Sequence, residues 1–156
     1  MNDHSPLPRA VAEAYLTAFA TRDPEKIAPF IDDDVVWTIS GPVDVLPFCG
    51  VHQGKATVLD LSGRRIPSVL KVFHVAHESC VIDGNHVATL TRLSARRPED
   101  GRVISYRCAH FIQFRNGKVI ENLSLLDSFD AVEQVLGHSL DVHDSPATQP
   151  GEVVAV

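Results

Sequence analysis

Cysteine, clustered basic charge and long apolar runs are all scarce in this chain, and each scarcity removes a class of protein. Cys49, Cys80 and Cys108 are odd in number and show no C-x-x-C spacing. That pattern points to free thiols in a reducing compartment rather than to a disulfide framework. Lys and Arg total 14 against 20 Asp and Glu, leaving a net charge of −6, and the only basic doublets are Arg64-Arg65 and Arg96-Arg97. Nucleic-acid binding needs clustered cations, so no nucleic-acid partner is expected. No apolar run approaches the roughly 18 residues of a membrane span. The opening MNDHSPLPR lacks a basic stretch followed by an apolar one, so no secretory leader is read there and a cytoplasmic location is expected. Phosphate-cradling glycine loops and dinucleotide fingerprints are missing. His74 and His77 fall on opposite faces of a strand, and Cys108 and His110 share a face without a third ligand nearby. Neither a metal nor another cofactor is therefore expected.

What remains is an ordinary globular balance, 44% hydrophobic and 22% charged over 156 residues, which suits one domain with a sizeable core. Val11, Tyr15 and Phe19 recur every four residues, with Ala12 and Leu16 beside them. This predicts a helix over about Pro8 to Thr21. Asp23-Pro24 has the form of an N-cap followed by proline at the first helical position, opening a short second helix. Asp32-Asp33-Asp34 should end it, with a strand over Val35–Ser40. Gly41-Pro42 and Leu46–Gly50 break regular structure, and a third helix is predicted over Gly54–Arg65. The period then changes to two. Four strands are predicted, Val69–Ile82, His86–Arg96, Val103–Arg115 and Val119–Leu126, separated by the turn signals Asp83-Gly84, Pro98–Gly101 and Asn116-Gly117. Asp127 to Leu136 can form a last helix, stopped by Gly137, and residues 138–156 read as a tail. Helices followed by a long antiparallel sheet make an α+β layout.

The stretches AYLTAFATRDPEKIAPFIDDDVVW, PFCGVHQGKATV and HFIQFRNGKVIENLSLLDSF occur in this order over most of residues 8–137. In them the chain resembles the nuclear transport factor two-like superfamily, in its ketosteroid isomerase-like and SnoaL-like polyketide cyclase branch. The resemblance implies a cone: a curved antiparallel sheet with N-terminal helices packed over its concave face, enclosing a pocket. It also implies a homodimer through the sheet. Carried over position by position, Tyr15 matches the isomerases' oxyanion tyrosine, and His110 falls where their oxyanion aspartate stands. The proton-shuttling aspartate falls on Ile39, or on Ser40 if the register slips by one. The cyclase aspartate falls on Ser124. The epoxide hydrolase Arg and Asp pair falls on Arg92 and Ser94. The family's usual carboxylates are thus unmatched.

Strand parity groups Tyr106, Cys108, His110 and Ile112 on one face, and Ile120, Asn122, Ser124 and Leu126 on another. A histidine among apolar neighbours must find a partner, and that partner is either protein or ligand. His110 and Tyr15 are the candidate catalytic residues. Trp37, Arg92, Tyr106, Cys108, Asn122 and Ser124 are candidates for contact with a small, mostly apolar molecule. Asp127 reads as an N-cap. The expected function is a cofactor-independent acid–base enzyme of isomerase, cyclase or dehydratase type acting on a carbonyl or hydroxyl compound. The alternatives are a non-catalytic binding module with the same pocket, or a dimeric association domain.

Overall fold

The computed structural model describes residues 6–141. Helix α1 (Arg9–Ala20) buries Ala12, Tyr15 and Phe19, the stripe that the spacing of four predicts. The chain leaves it through Thr21 and Arg22, where Arg22 takes a left-handed φ of 58°. Asp23 then caps α2 (Pro24–Ile27), its carboxylate accepting the Glu25 N–H at 3.0 Å. Pro24 occupies a position whose N–H has no intrahelical partner anyway. A single 3₁₀ turn, Ala28–Phe30, delivers the chain to β1 (Ile31–Ser40).

Strand β1 begins earlier than expected and takes in the acidic run. A bulge between Ile31 and Val36 reconciles the two demands. Ile31 and Val35 are both buried while Asp33 and Asp34 stay exposed between them. The breaker segment conceals an unexpected short strand, β2 (Gly50–Gln53), paired antiparallel with β1. The predicted third helix is interrupted: α3 (Lys55–Asp60) passes through a π turn (Leu61–Arg65) into α4 (Ile66–Val69). Gly63 in that turn lies against the ring of Pro24, where a Cβ would collide with the proline Cγ.

Four long strands follow: β3 (Lys71–Asp83), β4 (His86–Arg96), β5 (Val103–Arg115) and β6 (Lys118–Leu126). The sheet order is β2-β1-β6-β5-β4-β3. All neighbours are antiparallel except β1 and β6, which run parallel. Asn116 and Gly117 both have positive φ, 52° and 74°, the geometry whose twist suits a tight hairpin. A bulge in β6 opposite Gln113 and Phe114 changes the face that Ile120 was expected to share with Asn122. Val119 is buried in its place, and Asn122 and Ser124 keep the inward parity. On the outer face, Val81, Ala88, Phe111 and Leu123 fall in one row across four strands. The outermost strand, β3, carries two bulges, between Val72 and His74 and between His77 and Ser79.

Helix α5 (Ser128–Leu136) closes the described domain, and Gly137 ends it in the left-handed conformation. Asp127 sits at its N-cap position without a side-chain hydrogen bond to the helix. At the other end the Arg97 guanidinium donates to the Val135 carbonyl at 2.7 Å, a cation placed where the helix dipole is negative. The Leu140 N–H reaches back to the Glu133 carboxylate at 2.8 Å, so the first residues of the expected tail are tied to α5. The rest of that tail, 142–156, lies outside the described residues. No helix among the described residues is long and apolar enough to cross a membrane.

Candidate active site

Three inward positions on β5 and β6 meet as the sheet register requires. His110 pairs with Ser124, and Ile112 with Asn122. His110 Nδ1 lies 2.9 Å from Ser124 Oγ, and Asn122 Nδ2 donates to the same oxygen at 2.8 Å. A serine hydroxyl has one proton to give. With Asn122 occupying one lone pair, the Ser124 oxygen keeps a second lone pair and its own proton, so it pairs with Nδ1 in either tautomer of the neutral imidazole. The ring's Nε2 is buried and has no hydrogen-bond partner among the described residues. Burial, then the nearby positive charge of Arg22 and the presence of His77, push the His110 pKa down to about 3. His110 is therefore neutral at physiological pH, with Nδ1 engaged by Ser124 and Nε2 left over. Leaving such a buried nitrogen unpaired costs about 1–3 kcal/mol, which a ligand group pairing with it would recover.

His110 and Ser124 form part of the wall of an interior cavity under α3, the π turn and α4. Trp37, Ile39, Tyr106 and Cys108 supply more of the sheet side, and Phe19 closes the side toward α1. About 40 Å³ of it is open to the centres of water-sized spheres, room for a few waters, so a ring-sized ligand requires side chains of the wall to turn. Such rotamer changes on binding are common. Ile39 pairs with Ser124 in the β1–β6 register and is 5% exposed, while Ser40 faces solvent. The position that could have offered a carboxylate base on β1 is thus aliphatic. Among the described residues no Asp or Glu lines the cavity. Burial pushes the Cys108 thiol and the Tyr106 hydroxyl up to about 12 each, so both are protonated and act as donors rather than as bases or nucleophiles.

Of the residues singled out from the sequence, Trp37, Tyr106, Cys108, His110 and Ser124 line this cavity. Asn122 stands behind Ser124 and orients it. Tyr15 does not reach the lining. Its ring is packed among Phe19, Phe30 and Phe114, with centroids 5.7, 6.0 and 5.4 Å away, and its hydroxyl is buried without a partner. Arg92 is a correction. Thr91 and Leu93 point inward, so Arg92 between them points out, where it pairs with Glu78 at 3.2 Å beside Arg107. Among the described residues no group of three His, Cys, Asp or Glu is placed to hold a metal.

Arg22 is the charged residue of the lining, and the sequence reading missed it. Its left-handed backbone turns the side chain back over its own helix, with Cζ 4.4 Å from the Phe19 ring centroid. The residue is partly exposed, yet its Nε is sealed and unpaired. The His110 ring meets the same Phe19 ring edge-on at 5.4 Å. The available signal was positional: a residue directly after a helix and before Asp-Pro is where the left-handed helix stop falls.

The SnoaL-like domain model matches residues 12–122. A Rhodopseudomonas palustris protein provisionally assigned as an isomerase is 37% identical, with a TM-score of 0.71 over 81% of this chain and 93% of that one. A Catenulispora acidiphila protein with a ketosteroid isomerase-like fold, in complex with trimethylamine, is 14% identical, with a TM-score of 0.66 over 85% and 95%. An LEH-like epoxide hydrolase from M. tuberculosis is 16% identical, with a TM-score of 0.64 over 82% and 88%. The last two likenesses bear on the fold alone. No curated protein matches the chain significantly.

Proposed function

Since the chain belongs to the SnoaL-like branch of the nuclear transport factor two-like superfamily, whose members include isomerases, cyclases and epoxide hydrolases, we propose that it is an acid–base enzyme of isomerase, cyclase or dehydratase type. Its substrate is a small, mostly apolar carbonyl compound bound in the cone. The observation that carries this reading is the unpartnered His110 Nε2 in the cavity wall, which the reading takes as the N–H of the neutral ring. A neutral donor fixed in a water-poor site stabilises negative charge developing on a substrate oxygen, and it need not reorganise as that charge appears. In this reading the Ser124 O–H donates to Nδ1, and Asn122 holds the serine in place. Tyr106, protonated, adds a hydroxyl to the same wall. His110 then polarises the carbonyl, and the proton leaving the adjacent carbon passes to a water taken into the cavity, which has room for a few.

The missing carboxylate favours a second reading, a binding module that holds such a compound without turning it over. Hydrogen exchange separates the two. Small ketones and 1,3-dicarbonyl compounds are incubated with the protein in deuterated buffer, and deuterium uptake beside the carbonyl is followed by NMR. The enzyme reading expects catalysed uptake that drops by about a hundredfold when one donor to the oxyanion is removed, here in His110→Leu, with the fold checked by circular dichroism. Ligand-induced shifts without exchange would establish the binding module. Exchange of equal rate in wild type and His110→Leu would remove His110 from the chemistry.

A further inference from the structure

We propose that the ligand of this cavity is an organic monoanion, its carboxylate held by the Arg22 guanidinium at the neck between the cavity and an open vestibule. This rests on the cavity being the ligand site. The first ground is the state of Arg22 itself. Arg64, Arg92, Arg97 and Arg107 each have a carboxylate within 4.0 Å among the described residues, and no such partner is found there for Arg22. A guanidinium turned into a largely apolar wall loses hydration without an opposite charge to replace it. Burial accordingly lowers its pKa from the ordinary arginine value.

The second ground is the path to the cavity. An outer recess of about 580 Å³ shares Arg22, Ser62, Ile66 and Val72 with the inner cavity. It adds Lys71, and Arg64 whose charge is met by Asp60, and among the described residues no Asp or Glu lines it. In a chain of net charge −6, Arg22 and Lys71 give this mouth a cationic lining. A charged mouth with low-dielectric walls concentrates counter-ions at its entrance.

The third ground is that Arg22 and His110 both pack on Phe19. The Arg22 Cζ and the His110 ring both lie within 5.4 Å of that ring's centroid. Phe19, Trp37 and Phe48 give the cavity an aromatic lining. The ligand that satisfies all of these has an apolar body in the cavity, a neutral oxygen at His110 and an anionic group at Arg22. A single guanidinium matches a carboxylate, whose two oxygens its paired N–H groups can meet together.

The test uses matched pairs that differ only in charge: benzoate, 2-naphthoate and octanoate against their primary amides. Each is titrated into the full-length protein by calorimetry, with emission of the single tryptophan, Trp37, as a second readout. Wild type is expected to bind at least one acid about tenfold or more tightly than its amide. Arg22→Gln should abolish that preference and leave amide affinity unchanged. Arg22→Asn serves as the second neutral variant, because Asn tolerates the left-handed backbone that this position demands. Arg22→Lys should keep part of the preference. If acid and amide bind wild type equally, or if both neutral variants retain the preference, the Arg22 assignment falls while the pocket stands. If none of the six compounds binds wild type, the pocket reading and this inference fall together.

Discussion

Exchanging His110 for glutamine removes a titrating group while keeping an oxygen that can accept the Ser124 hydroxyl proton. The consequence for stability follows from where the wild-type imidazole titrates. An exposed histidine in the unfolded chain takes up its proton near pH 6.5, but in the folded protein His110 does so only near pH 3. Between these values the unfolded chain holds one more proton than the native state, so acidification draws the equilibrium toward unfolding. The effect is absent above pH 6.5, grows as the pH falls, and saturates below about 3. Its slope is about 1.4 kcal/mol per pH unit, or about 3 kcal/mol by pH 4.5. Urea unfolding of wild type and His110→Gln, followed by Trp37 emission at pH 7, 6, 5 and 4.5, isolates this contribution. The other seven histidines and all carboxylates cancel in the difference. Glutamine costs wild-type contacts at pH 7, but that offset does not change with pH. The expected result is that the stability gap moves steadily in favour of the variant on acidification. Parallel stability curves would mean that His110 titrates normally, and the neutral donor in the cavity wall would be refuted.

Two further outcomes follow from the packing and the thiols. Gly63→Ala should destabilise the protein by about 1–3 kcal/mol, because the added methyl meets the ring of Pro24, which cannot swing aside; thermal unfolding measures this, and an unchanged Tm would show that α2 and the π turn separate freely. Cys80 is exposed, whereas Cys49 and Cys108 are buried, and burial raises their thiols to about 11 and 12. A disulfide exchange reagent at pH 8 should therefore label one thiol quickly in the native protein and all three in urea. Rapid native labelling of two or more would contradict the closed cavity wall.

Much of the fold was legible because it depends on local patterns. The period of four in α1, the Asp23-Pro24 start, the Asn116-Gly117 turn and the alternation along β5 each determine their element from a few adjacent residues. The same alternation brought His110, Asn122 and Ser124 to one place. What escaped depends on distant partners. The bulges at Ile31/Val36 and in β6 have no sequence mark, and they decide that Val119 rather than Ile120 is buried. Strand β2 exists because β1 offers it an edge, and its own four residues say little. Arg92 looked available because a lone strand does not reveal which parity faces the core. Arg22 went unread: its place between a helix and Asp-Pro marks a left-handed stop, but nothing in TRDP discloses that the side chain then lies over Phe19.

The two bulges of β3 bear on how the protein behaves at high concentration. At thirteen residues β3 is a long boundary to leave unpaired, and a straight one would be a template for a strand from another molecule. Each bulge breaks the even spacing of amide and carbonyl groups that an incoming strand would need. Lys71, His74, His77 and Glu78 add exposed polar side chains along the same border. The opposite border, β2, has only four residues. The sheet can thus be long enough to shape a deep cone and still resist growing, strand by strand, into a fibre.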